Sequence, residues 1–132
     1  MDVRAQAPKF AYAAFRVILG LIMVEHGLMK LLAFPAAAPG VPSPLPPLLV
    51  FAGVLETVGG ALLAAGLLAR LAAFVLSGEM AVGYFMVHAP NGFWPSLNGG
   101  DLAVLLCFAL LFFAAHGAGP WSVGGRGTLA DT

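Results

Sequence analysis

Charged residues are scarce in this chain. Asp, Glu, Lys and Arg make up 9% of its 132 residues, whereas hydrophobic residues make up 61%. A water-soluble domain carries roughly 25% charged residues, so this shortage excludes a free-standing soluble enzyme and predicts a chain folded in a lipid bilayer. The formal net charge is zero, which leaves no basic surface for binding nucleic acid.

Cysteine is almost absent as well. The only one, Cys107, excludes an internal disulfide, a zinc site built on paired cysteines, a C-x-x-C redox motif and covalently attached haem. Its thiol lies in an apolar segment and is expected to be inert. The length suits one domain without a separate catalytic module.

Four apolar segments have the length of helices. We predict helices over residues 10–32, 48–68, 71–88 and 101–116, with a Pro-rich loop over 33–47 and a tight turn at Ala69-Arg70. The second segment is long enough to cross a hydrocarbon core of about 30 Å at about 1.5 Å per residue. The fold class is therefore predicted to be all-α, an integral membrane four-helix bundle with antiparallel helices.

The two ends of the chain carry further signals. The first segment resembles a signal peptide in its basic start and in Ala36-Ala37-Ala38, but Arg16 and Lys30 interrupt it and it is too long. We therefore predict a first transmembrane helix. Residues 119–132 are rich in glycine and are predicted to form a flexible tail.

The distribution of basic residues predicts the orientation of the chain in the membrane. One end of the predicted bundle carries Arg4, Lys9, Arg16, Arg70 and Arg126. The other end carries only Lys30. By the positive-inside rule, both termini are cytoplasmic and the Pro-rich loop is external, in a multi-pass protein of the bacterial inner membrane.

Ionisable residues inside a membrane are costly and usually face a cavity or a partner group. Six of them fall in the outer half of the predicted bundle and form the candidate polar pocket: Glu25, His26, Lys30, Glu56, His88 and Asp101. Glu79 is predicted to lie apart from them, near the middle of the bilayer. The pocket is interpreted either as a small-molecule or proton pathway or as a set of groups that tie the helices together.

Metal and haem sites are alternatives that we do not favour. His26 and His88 are candidate axial ligands of a b-type haem, and with Glu56 they are a candidate metal site. The methionines are interpreted as packing residues rather than copper ligands. No metal site is predicted, and no catalytic residue is assigned.

Several motifs together resemble the DoxX family of bacterial inner-membrane proteins. They are GEMAVGYFMVHAP over residues 78–90, NGGDLAVLLCFALLFFAAHGAGPWSV over 98–123, the Glu25-to-Lys30 end of the first segment, and Glu56 followed by Gly59-Gly60, Gly66 and Arg70. The resemblance covers about residues 10–124. Asp101 stands where the family commonly has Glu, and Gly124 stands near a position where the family has an acidic residue.

The resemblance implies a four-helix inner-membrane protein whose relatives include partners of quinone-linked oxidoreductases. We therefore predict a subunit or partner of a membrane oxidoreductase system, in which the polar pocket exchanges protons with a quinone. Electrons are then expected from a membrane or soluble redox partner. The alternative is a non-enzymatic membrane scaffold or a small proton-coupled transporter; oligomeric state and enzyme activity stay open.

Overall fold

The computed structural model describes residues 2–124 and is all-helical over that range. It contains four long helices and a short one: α1 Val3–Leu32, α2 Pro47–Ala65, α3 Ala69–Gly83, α4 Pro95–Asn98 and α5 Asp101–His116. Helix α3 continues through a π-helical turn, Tyr84–His88, and a 3-10 turn, Ala89–Asn91. The predicted all-α class is confirmed.

Three helical stretches are long and apolar enough to cross a membrane: Val3–Leu32, Pro47–Ala65 and Ala69–Asn91. Helix α5 is apolar but has only 16 residues. It is therefore about 24 Å long, shorter than a hydrocarbon core of about 30 Å.

The start of α1 and the end of α2 differ from the predicted helix ends. Polar residues determine the first of these ends and a glycine determines the second. Helix α1 begins at the N-cap residue Asp2, well before the predicted start at residue 10, because its first turns are exposed and polar and so escape a hydrophobicity criterion. Helix α2 ends at Gly66, which adopts φ +74°, a conformation that costs glycine nothing. The turn therefore lies at residues 66–68, and the predicted turn at Ala69-Arg70 is wrong.

Helices α1 and α2 are antiparallel and approach each other backbone to backbone. Gly20 faces Gly60, and a Cβ atom added to either residue would lie 2.6 Å from the other's carbonyl oxygen. Gly27 meets Gly53 in a similar way further along. Within a bilayer there is little hydrophobic drive between helices, so such close contact supplies the van der Waals energy of association.

A buried apolar core connects the helices. It is centred on Met23, Leu63, Leu76, Leu110 and Phe113, all of them fully buried. Helix α5 is also joined to α3 by a hydrogen bond, in which the Ser77 hydroxyl donates to the Cys107 carbonyl over 2.8 Å.

The chain after α5 folds back across the middle of α1 and the end of α2. Arg16 is 1% exposed, and its guanidinium donates to the carbonyl oxygens of Ala118, Pro120 and Trp121. The backbone amides of residues 123 and 124 donate to carbonyl oxygens at the end of α2. Residues 119–124 are thus held by hydrogen bonds, contrary to the predicted flexible tail; the rest of that tail, 125–132, lies outside the described residues.

Candidate functional site

An ion pair between α1 and α2 is the core of the candidate site. The Lys30 Nζ atom lies 2.7 Å from Oε1 and 2.6 Å from Oε2 of Glu56. The Lys30 side chain is 19% exposed and that of Glu56 only 2%. Both carboxylate oxygens therefore share one ammonium in a setting largely screened from solvent.

The glycine contact between the helices brings these two side chains together. Lys30 follows Gly27 by three residues and Glu56 follows Gly53 by three, so in these antiparallel helices they lie on opposite sides of the closest approach, each about one turn away. The long Lys30 side chain spans that difference and reaches the Glu56 carboxylate. Gly27 also leaves room for Thr57, whose hydroxyl donates to the Gly53 carbonyl. The helix packing thus determines the position of the ion pair.

Glu79 of α3 completes a cluster of three, which we call the Lys30–Glu56–Glu79 cluster. Its carboxyl group lies beside that of Glu56, close enough for a hydrogen bond between the two, and within electrostatic reach of Lys30. Its Oε2 atom is buried and has no hydrogen-bond partner among the described residues.

The prediction that Glu79 lies apart from the other ionisable residues is therefore wrong. Glu56 precedes Gly66 by ten residues, and Glu79 follows Leu68 by eleven. Two antiparallel helices joined by a tight turn place such residues at equal depth. Counting from the glycine turn, rather than from the predicted helix ends, reveals the pairing in the sequence.

The cluster holds one ammonium and two carboxyl groups. An uncompensated charge is costly inside a bilayer, and two neighbouring carboxylates repel each other. Electrical neutrality therefore requires one proton on the carboxyl pair. Chemically, this arrangement can donate a proton, accept one, or hydrogen-bond a polar group through the free oxygen of Glu79.

The other predicted pocket residues lie elsewhere, on α1, after α3 and at the start of α5. Glu25 is on the exposed face of α1 and His26 is half-buried. Asp101 is exposed at the start of α5, where its Oδ1 accepts from the next backbone amide over 3.0 Å. His88 ends the π-helical turn, with Nδ1 3.4 Å from the Asn98 carbonyl oxygen. Of the six residues, the structure joins Lys30 and Glu56 to each other by a hydrogen-bonded contact.

Asn98 is an organising residue that the sequence reasoning missed. Its amide nitrogen donates to the Tyr84 hydroxyl and to the Gly92 carbonyl, both over 3.0 Å. Its amide oxygen accepts from the Gly100 backbone over 2.8 Å. Asn98 thereby fixes the loop between α3 and α5; its place before Gly99-Gly100, a turn signature, is the signal that could have found it.

The described residues contain no preformed metal site. Over residues 2–124, no group of three or more His, Cys, Asp or Glu side chains is arranged to hold a metal ion. His26, Glu56 and His88, the candidate metal ligands from the sequence, do not form such a group.

An apolar groove of about 240 Å³ runs between α2 and α3. Glu79 follows Val75 by four residues and Leu76 by three, and both of these line the groove, so Glu79 lies one turn further along the same side of α3. The groove thus ends about one helical turn from Glu79, and none of the three cluster residues lines it. All the residues that line it are apolar: Val54, Leu55, Val58, Gly59, Leu62, Leu68, Leu71, Ala72, Val75 and Leu76.

Comparison with known proteins identifies the family of this chain. The DoxX family model matches residues 11–89. A protein of Haemophilus influenzae, described only as uncharacterized, is 42% identical over 111 residues, which cover 81% of this chain and 83% of that protein. No solved structure matches. The family match spans more than half of the chain and includes the motifs noted on its first three helices, although the motif over 98–123 lies outside it, so the chain belongs to the DoxX family.

Proposed function

We propose that this DoxX protein is a bacterial inner-membrane protein in which α1, α2, α3 and α5 all cross the bilayer as an antiparallel bundle. Arg4 and Lys9 lie in the first turns of α1, Arg16 lies level with the end of α2, and Arg70 lies at the start of α3, whereas Lys30 is near the other end of α1. The positive-inside rule then makes both termini cytoplasmic. Arg126, the fifth basic residue assigned to that end from the sequence, lies outside the described residues.

Within that topology, we propose that the protein is a partner or subunit of a quinone-linked oxidoreductase system. The observation that carries this proposal is the buried, unpartnered Oε2 atom of Glu79, beside the Lys30–Glu56 ion pair. A carboxyl group with a free oxygen can hydrogen-bond a quinone or quinol head group. The adjoining apolar groove suits the isoprenoid tail.

The chemistry assigned to the cluster is proton exchange. Reduction of a quinone to its quinol consumes electrons and an equal number of protons, and oxidation releases them. Electrons are exchanged with a partner oxidoreductase or a soluble donor, and Glu79 gives or takes a proton at the quinone oxygen. When the proton has left, the cluster holds two carboxylates and one ammonium, and it regains neutrality by taking up another proton.

Quinone binding by purified protein in lipid nanodiscs tests the proposal. We expect E79Q to weaken binding of a ubiquinone or menaquinone about fivefold, since a hydrogen bond to a charged group contributes about 1 kcal/mol more than one to the neutral glutamine amide. E25Q, on the exposed face of α1, is the matched control and should bind like the wild type. Equal binding by E79Q and wild type, or no binding by either, would refute the quinone proposal.

A membrane scaffold is the second candidate function. The Lys30–Glu56 ion pair favours it. Both oxygens of Glu56 are already occupied, as expected of a group that joins helices. In a scaffold, E56Q impairs folding or assembly without any change in ligand binding. In the quinone-linked protein, E79Q folds normally and binds quinone more weakly.

A further inference from the structure

The two sides of the Lys30–Glu56–Glu79 cluster differ in their surroundings. Lys30 is two residues from the end of α1, so its backbone lies about 3 Å from that helix end. Its ammonium has three N–H donors, of which Glu56 takes two. The third donor and the partial exposure of the side chain connect the cluster with the outer surface.

Apolar side chains close the opposite side. Between the cluster and Arg16 lie Met23, Leu63, Leu76 and Leu110, none of them more than 1% exposed. From Glu56 to Ala64, where α2 meets Arg16, the rise along the helix is about 12 Å. This apolar layer gives a proton or a hydrated solute no polar route.

Few polar groups interrupt that layer. The Ser77 hydroxyl is buried and donates to the Cys107 carbonyl, so it is already engaged within the protein. Cys107 also lies within the layer, where its Sγ atom is 3.5 Å from the Ser77 Oγ atom. Other titratable groups among the described residues lie on the outer side of the cluster: Glu25 and His26 on α1, Tyr84 and His88 after α3, and Asp101 on α5. Helix α2 contributes Glu56 itself.

At the far end, the segment after α5 forms a second barrier. Arg16 binds carbonyl oxygens of residues 118, 120 and 121, and the Tyr12 hydroxyl donates to the Gly117 carbonyl. These contacts hold the segment across the middle of α1 and the end of α2. Arg16 and its carbonyl partners therefore cover the apolar layer on the side opposite to Lys30.

We infer that the cluster exchanges protons and hydrated solutes with the outer face of the membrane and is closed to the cytoplasm. This inference rests on the proposed topology and deepens the proposed function, because it specifies the side on which protons enter or leave. Oxidation of a quinol at this site would release protons outwards.

Cysteine accessibility in oriented membrane vesicles tests from which side of the membrane the cluster is accessible. In a C107A background, K30C and H26C are treated with a membrane-impermeant thiol reagent from one side at a time. H26C leaves the ion pair intact, so it keeps the test valid if K30C folds poorly. We expect both to react at least about tenfold faster from the outside.

Two controls calibrate the labelling rates from the two sides. K9C, on the exposed first turns of α1, should react only from the cytoplasmic side, and wild-type Cys107 should react slowly from both. Faster reaction of H26C from the cytoplasmic side, or no reaction from either side, would overturn the inference. Outward labelling combined with unchanged quinone binding in E79Q would instead support the access route and refute the quinone proposal.

Discussion

Lys30 and Glu56 depend on each other for their charge balance. We expect K30M to lower the free energy of unfolding by about 3 kcal/mol, because it leaves a buried carboxyl group without its ammonium partner. K30M/E56M should recover most of that loss. Reversible unfolding in detergent measures both, with exposed Lys9 as the control site, where K9M should change stability by less than about 0.5 kcal/mol. A K30M variant as stable as K9M would contradict this assignment.

Sequence reasoning identifies which residues are costly in a membrane but not which of them meet. Lys30 and Glu56 are both candidates from their placement in apolar segments. The prediction misplaces Glu79 because it counts depth from an apolar run rather than from the turn at Gly66. The environment of Arg16 could not be predicted, because its partners are backbone carbonyls, which leave no pattern in the side chains.

The packing of α1 against α2 depends on glycine residues at their contact. We expect G60A to destabilise the protein by about 1–3 kcal/mol, because the added methyl group meets the Gly20 carbonyl, a backbone atom that cannot turn aside. Gly78 on α3 has open space around it, so G78A should be neutral or stabilising by up to about 1 kcal/mol. Thermal unfolding in detergent compares them; equal losses would contradict this packing.

The segment after α5 depends on Arg16. In R16Q, at least one hydrogen bond from a charged donor is lost, which costs roughly 1.5–3 kcal/mol. We expect the amides of Val123 and Gly124, bonded to the end of α2, to exchange with deuterium about tenfold faster or more. R4Q, altered at an exposed arginine, is the control. Unchanged exchange in R16Q would show that Arg16 does not hold the segment.

Element boundaries follow from the sequence only where composition changes sharply. Helix α5 begins at Asp101 and ends before Gly117, and the polar and glycine residues there mark both ends. The start of α1 escapes prediction because a helix can extend beyond the membrane as a polar helix. The π-helical turn at Tyr84–His88 has no signature in the hydropathy pattern.

For the whole molecule, the distribution of basic residues predicts the topology. Alkaline phosphatase, active only outside the cytoplasm, should be inactive when fused after Thr132 and active when inserted at Gly40, an exposed position in the Pro-rich loop. A fluorescent protein that folds only in the cytoplasm should give the complementary result. The reverse pattern would contradict the proposed orientation.

On the proposed function, Glu79 carries an exchangeable proton that responds to a quinone. Infrared difference spectroscopy of the protein in nanodiscs, recorded on addition of quinone, measures this directly through the C=O stretch of a protonated carboxyl group. We predict a change in that band in the wild type and in E25Q, and its loss in E79Q. A band that persists unchanged in E79Q, or that never responds to quinone, would contradict the account.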